Sequence, residues 1–214
     1  MDQSLLAALM AVVGGLLGLG ADRLATRWPA HEPGVTPRGL GWRTLVVAIG
    51  GAVLFGGLVL RWPDGRDLLL MLIFGATLVV LLATDLDQRL LPDLLTLPLV
   101  GYAAVALVLG FSPLLRGLEL GLASGVAAGI GAPVLLLISD RLLGGDLGGG
   151  DVKLAAAVGL WTGVTRFLTG FLVASVVFAA LLIVLMAARR VGLRSAVPFG
   201  PVLIGAAAVA MLVS

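Results

Sequence analysis

Cysteine is absent from the chain, which excludes disulfides, a cysteine nucleophile and any cysteine-ligated zinc site. Charge is scarce. Only 12% of residues are charged, against about 25% in a soluble domain. Lysine occurs once, at Lys153, among 14 basic residues, and histidine once, at His31, without companions spaced as metal ligands. No repeat with a period of about 20–50 residues is visible, nor any low-complexity linker. The opening residues Met1-Asp2-Gln3-Ser4 lack the positive stretch of a secretory signal, so the first apolar run is expected to be retained as a span.

What the chain does have is hydrocarbon. Sixty per cent of its 214 residues are apolar and its mean hydropathy is +1.15. The expected fold is all-α: a polytopic transmembrane helical bundle of about eight spans. It should form one integral membrane unit over residues 1–214, with no separate soluble domain. The apolar runs predict helices at Leu5–Gly20, Thr44–Leu60, Leu68–Ala83, Leu94–Gly110, Leu118–Ser139, Val152–Thr165, Phe167–Ala187 and Val197–Val213. The sixth, roughly 14 residues, reaches only about 21 Å. It must tilt, thin the bilayer or lie buried among its neighbours. Pro98 and Pro133 fall inside spans, where neighbouring helices tolerate a kink. Trp42, Trp62 and Trp161 fall at predicted helix ends, where indoles favour the headgroup region. The longest connection, residues 21–42, holds Pro29, Pro33 and Pro37 and reads as an irregular surface loop, with His31 solvated in it.

Basic residues set the expected orientation. With the N-terminus outside, the inner loops carry Arg23, Arg27, Arg38, Arg43, Arg89, Arg141, Lys153, Arg189, Arg190 and Arg194, and the outer loops carry Arg61, Arg66, Arg116 and Arg166. The bias favours N-out, C-out. A formal charge of +2, spread over short loops, excludes a nucleic-acid partner despite a pI near 9.9. Arg189, Arg190 and Arg194 mark the inner face and could attract anionic lipid.

Six of the twelve acids (Asp85, Asp87, Asp93, Asp140, Asp146 and Asp151) lie in or beside two inner connections. An acid close to hydrocarbon is costly, about 2.5–3.5 kcal/mol at the bilayer centre, and therefore a functional candidate. Thr84-Asp85-Leu86-Asp87-Gln88-Arg89-Leu90-Leu91-Pro92-Asp93 closes the third span and opens the fourth. Asp85 faces the unfavourable pole of its helix, a poor place for a merely structural carboxylate. Pro92 suits a helix start, with Asp93 in the first turn. The second connection packs five glycines into the eight residues from Gly144 to Asp151. Such a segment lets an extended peptide approach without side-chain obstruction. The bland readings are an N-cap for Asp151, a solvated loop acid for Asp87 and a helix-start acid for Asp93. Glu119 could pair with Arg116.

If Asp85 and Asp151 converge at one depth, they suit hydrolysis by an aspartic dyad sharing one proton. The ionised carboxylate takes a proton from water, the water attacks the scissile carbonyl, and the protonated partner hydrogen-bonds the carbonyl oxygen. No metal is required. Lys153 places a compact ammonium beside Asp151.

These stretches resemble the type IV prepilin leader peptidase family, membrane aspartic peptidases with a glycine-x-glycine-aspartate motif. The match runs through Asp85 to Pro98, with Asp85 seven residues before Pro92, and through Gly148-Gly149-Gly150-Asp151-Val152-Lys153-Leu154. Pro198-Phe199-Gly200-Pro201 is similar to a later family signature, and Gly18 through Pro29 to a weakened first-helix pattern, with Asp22 in place of asparagine. The resemblance implies Asp85 and Asp151 as catalytic, with Gly148, Gly149, Gly150, Lys153, Asp87, Pro92 and Asp93 as substrate-binding or supporting residues. It implies cleavage of short basic leaders from type IV prepilins or pseudopilins of secretion systems. The cut precedes the pilin's hydrophobic helix, at the cytoplasmic face of the bacterial inner membrane. The peptidase reaction needs no cofactor. Methylation of the new N-terminus would use S-adenosylmethionine, but residues 21–42 are short and cysteine-free where many members carry a zinc-binding loop, so methylation carries over less safely than cleavage. Two other readings compete: a small proton- or cation-coupled transporter, and a structural component of a pilus or secretion machine.

Overall fold

The structure, a computed structural model, describes residues 2–29, 39–143, 147–187 and 199–213. Pro33, Pro37, His31, Arg38, Gly144, Gly145, Asp146, Arg189, Arg190, Arg194 and Pro198 lie outside the described residues. Among the described residues there are seven helical elements and no strand: α1 (Gln3–Ala25), α2 (Trp42–Arg61), α3 (Gly65–Gln88), α4 (Asp93–Val108), α5 (Gly121–Leu143), α6 (Gly149–Ala187) and α7 (Gly200–Val213). Five of them, α1, α2, α3, α5 and α6, are long and apolar enough to cross a membrane; α4 and α7 are shorter. The chain is a helical membrane bundle.

Local chemistry explains where the helices begin. Asp2 and Asp64 stand just ahead of α1 and α3, and each side chain accepts a backbone N–H of the first turn, Ser4 and Arg66 respectively. Pro92 precedes α4 as expected. Arg89 ends α3 in a left-handed conformation (φ 55°), which turns the chain towards α4. The last helix is described from Gly200; Val197, its expected start, lies outside the described residues.

The sixth and seventh expected helices are a single element broken at Gly163, whose φ of 71° and ψ of 175° are not helical. Only glycine takes that backbone geometry without strain. The break reverses the chain. Before it, α6 climbs from Gly150, against Leu91, to Trp161, stacked on Phe74 with ring centroids 4.7 Å apart. After it, Gly170 lies against Ala206 and Ala174 against Gly205, so the second arm descends antiparallel to α7. The short first arm resolves its length problem by burial, since Leu154, Ala155, Ala157, Val158 and Trp161 are all inaccessible. Trp161 is therefore a core residue and not a headgroup anchor. It packs against both Phe74 and Tyr102. Trp62 bonds inward too, donating from Nε1 to the Met211 carbonyl at 2.9 Å, whereas Trp42 is exposed.

These contacts define two ends. The start of α1 meets the close of α2, where Gln3 donates to the Val59 carbonyl at 3.1 Å, and Trp62 ties that end to the close of α7. At the same end Arg116 grips Asp67 through two hydrogen bonds of 3.0 and 2.6 Å. Arg116 thus pairs with Asp67 and not with Glu119. The opposite end gathers the close of α1 and α3 and the starts of α2, α4, α6 and α7.

Candidate active site

Asp85 lies in the last turn of α3 and is only 4% exposed. Asp151 lies in the first turn of α6, half-buried, with its N–H donating to the Gly148 carbonyl at 3.0 Å. Both sit at the same end of the bundle, Asp85 at the close of α3 and Asp151 at the start of α6. Each keeps one buried carboxylate oxygen, Oδ2 of Asp85 and Oδ1 of Asp151, without a hydrogen-bond partner among the described residues. Buried polar atoms are almost always satisfied, so these two oxygens, at one end of the bundle, are exceptions.

The glycine-rich turn is pressed against the α3–α4 connection. A side-chain carbon on Gly150 would fall 2.7 Å from both the Cβ and the carbonyl oxygen of Leu91, a distance real contacts do not allow. At Gly149 the same carbon would meet nothing within 4 Å, and at Gly148 it would lie 3.2 Å from Asp151 Oδ2. Of the three glycines, Gly150 is the one that close packing demands. It sets the start of α6 directly on the loop carrying Leu91 and Pro92.

Lys153 and Asp93 form an ion pair, Nζ to Oδ1 at 2.5 Å, that ties α6 to the first turn of α4. The ammonium thus engages Asp93 and bridges the two motifs. Asp87 is not a solvated loop acid: its side chain is only 7% exposed and pairs with Arg43 at 3.4 Å. Next to it, Gln88 donates to the Ala25 and Pro29 carbonyls and binds α3 to the close of α1.

Two features lie outside the two aspartate motifs. Asp22 is fully buried, accepting the Thr44 hydroxyl at 2.7 Å and a hydrogen bond from Arg23. The Thr44 hydroxyl in turn accepts the Gly41 N–H at 3.2 Å, so Asp22 anchors the start of α2. The second is Gly200, the first residue of α7. A side-chain carbon there would lie 2.7 Å from Asp85 Oδ2, 2.8 Å from its Cγ and 3.1 Å from Oδ1. Its signal in the sequence was the Pro198-Phe199-Gly200-Pro201 run, which carried no assigned role. No group of three or more potential metal ligands occurs among the described residues.

A model of the type IV leader peptidase family matches residues 72–185, a stretch that includes both Asp85 and Asp151. The prepilin leader peptidase/N-methyltransferase of Dickeya chrysanthemi is 33% identical over 165 residues, covering 75% of this chain and 56% of that protein. The protein of the same name from Burkholderia pseudomallei is 34% identical over 163 residues, 74% of this chain and 50% of that one. That of Aeromonas hydrophila is 36% identical over 163 residues, 75% and 55% respectively. The chain thus spans about half the length of these curated relatives. No solved structure matches it. With the family match running unbroken across both aspartate motifs, the chain belongs to the type IV leader peptidase family.

Proposed function

We propose that the chain is an aspartic endopeptidase that removes the leader of type IV prepilins or pseudopilins at the cytoplasmic boundary of the inner membrane, with Asp85 and Asp151 as its catalytic pair. The observation that carries this reading is the pair of buried, unpartnered carboxylate oxygens at one end of the bundle. In such a dyad the two carboxylates share one proton, because like charges side by side do not both ionise freely. The ionised member removes a proton from a water, and the resulting hydroxide adds to the scissile carbonyl. The protonated member hydrogen-bonds the developing oxyanion. Collapse of the tetrahedral intermediate breaks the C–N bond, and a proton passes to the departing amine, the new N-terminus of the pilin. The pair titrates as a unit, so the two roles are not divided between the residues.

Depth fits this substrate. Asp85 stands at the very end of an apolar helix and Asp151 at the very start of another. A pilin's hydrophobic segment can lie in the bilayer while the bond before it rests at the interface. The site end also carries Arg23, Arg27, Arg43, Arg89, Arg141 and Lys153, and the far end Arg61, Arg66, Arg116 and Arg166, which favours the site end as cytoplasmic. Methyl transfer from S-adenosylmethionine is not assigned. Asp22, in the first-helix pattern, is taken up by Thr44 and Arg23, and the chain covers about half of relatives named for both activities.

The test is co-expression with a prepilin and mass measurement of the pilin N-terminus. The unmodified chain should release the leader. Asp85→Asn and Asp151→Asn should each leave it attached while inserting normally. Leader removal by either variant would end the dyad reading. The same spectrum reports whether a methyl group has been added.

A further inference from the structure

Asp85 presents an electrostatic problem that the dyad alone does not solve. Its carboxylate stands in the last turn of α3, where the helix presents its negative pole. The element facing it is the start of α7. Gly200 is the first residue of that helix, and its Cα is turned so that the nearest atoms to a would-be Cβ are Oδ2, Cγ and Oδ1 of Asp85. The start of α7 therefore lies against the carboxylate that α3 disfavours. Three further observations make this more than a helix start near an acid. The facing carboxylate is more than nine-tenths buried. The oxygen nearest to Gly200, Oδ2, is the one left without a hydrogen-bond partner. And any side chain at this position would occupy the carboxylate's own space, at 2.7 Å.

We propose that Gly200 is a positioning residue of the catalytic centre, the third wall of the site, whose missing side chain leaves the Asp85 carboxylate free to turn towards Asp151. The inference rests on the peptidase reading and deepens it, because it extends the site beyond the two aspartate motifs to the last helix. Gly200 lies outside the stretch that the family model matches. It touches neither water nor substrate in the reaction above; it acts through Asp85.

The consequence is a selective defect. A methyl group at residue 200 displaces the carboxylate from its partner without altering where the prepilin helix docks. Gly200→Ala in the full chain should lower kcat for leader removal by at least about tenfold while KM changes by less than about twofold. Gly205→Ala, on the same helix, would meet only the Ala174 methyl, at 3.3 Å, and should keep its kcat. A thermal-unfolding cycle supplies a readout independent of activity. Gly200→Ala should lower Tm in the wild-type background, and that loss should shrink to less than about half when Asp85→Ala has removed the atoms it collides with. If Gly200→Ala does not accumulate alone, its recovery in the Asp85→Ala background supports the proposal, and failure to accumulate there overturns it. Cleavage at the wild-type kcat overturns it too, as does a Tm loss undiminished without the carboxylate. If the unmodified chain cleaves no prepilin, the peptidase reading falls, and the unfolding cycle still decides the role of Gly200.

Discussion

Gly149 and Gly150 are neighbours with opposite tolerance for a methyl group. At residue 150 the methyl would be driven into the Leu91 backbone, and at residue 149 it would enter open space. Gly150→Ala should therefore cost about 1–3 kcal/mol of stability and lift the start of α6 off the α3–α4 connection, with leader cleavage falling alongside. Gly149→Ala should leave both unchanged. Thermal unfolding in detergent and a prepilin cleavage assay compare the two directly. At this scale the sequence was legible where chemistry is conspicuous: Asp85 and Asp151 stand out because acids beside hydrocarbon are rare. Asp87 was not legible, because a loop-end acid reads as solvated unless its partner is known. That partner, Arg43, comes from another helix. Gly200 was hidden for the same reason, since nothing local to it reveals that a carboxylate from α3 fills its side-chain space.

Two elements, α4 and α6, are held together at the site by one exposed ion pair, Lys153 with Asp93. Such a pair adds at most about 1 kcal/mol to stability, so its value lies in placing the Asp151 turn against the loop after Asp85. Lys153→Ala should reduce leader cleavage by about tenfold, a cost typical of small misplacements, with little change in Tm. The charge swap Lys153→Asp with Asp93→Lys should recover part of the loss. Recovery absent from the swap, with both proteins folded, would remove the bridge from the account. The bounds of α1 to α5 were close to legible, because apolar runs, aspartate caps and prolines mark them locally. The inward faces were not. A helix apolar all round carries no stripe to say which side is buried, and so Trp161 read as an interfacial anchor when it belongs to a buried aromatic cluster.

For the whole molecule, orientation is the property that composition argues and packing does not fix. The absence of native cysteine makes it measurable, since a single introduced thiol is the only one present. Gly39→Cys lies exposed at the site end, and Glu119→Cys lies exposed at the far end. In intact cells a membrane-impermeant maleimide should label residue 119 and spare residue 39 until the membrane is opened. The reverse pattern would put the aspartates outside and remove the cytoplasmic assignment. Two-ended architecture was legible from the sequence through its loop charges. The long-range ties were not: Asp67 to Arg116 and Trp62 to Met211 join residues far apart in the chain, and no local pattern announces them. The turn at Gly163 divides α6 into two regimes of mutational constraint. On its near side Leu154, Ala155, Ala157, Val158 and Trp161 are enclosed by protein, so random substitution at these residues should be purged almost regardless of chemistry. On its far side Leu172, Val176, Val177, Ile183 and Val184 point outward, where lipid acyl chains accept any hydrocarbon. A saturation library would record that boundary as a step, strict at the enclosed residues before 163 and permissive at the outward-facing ones after it.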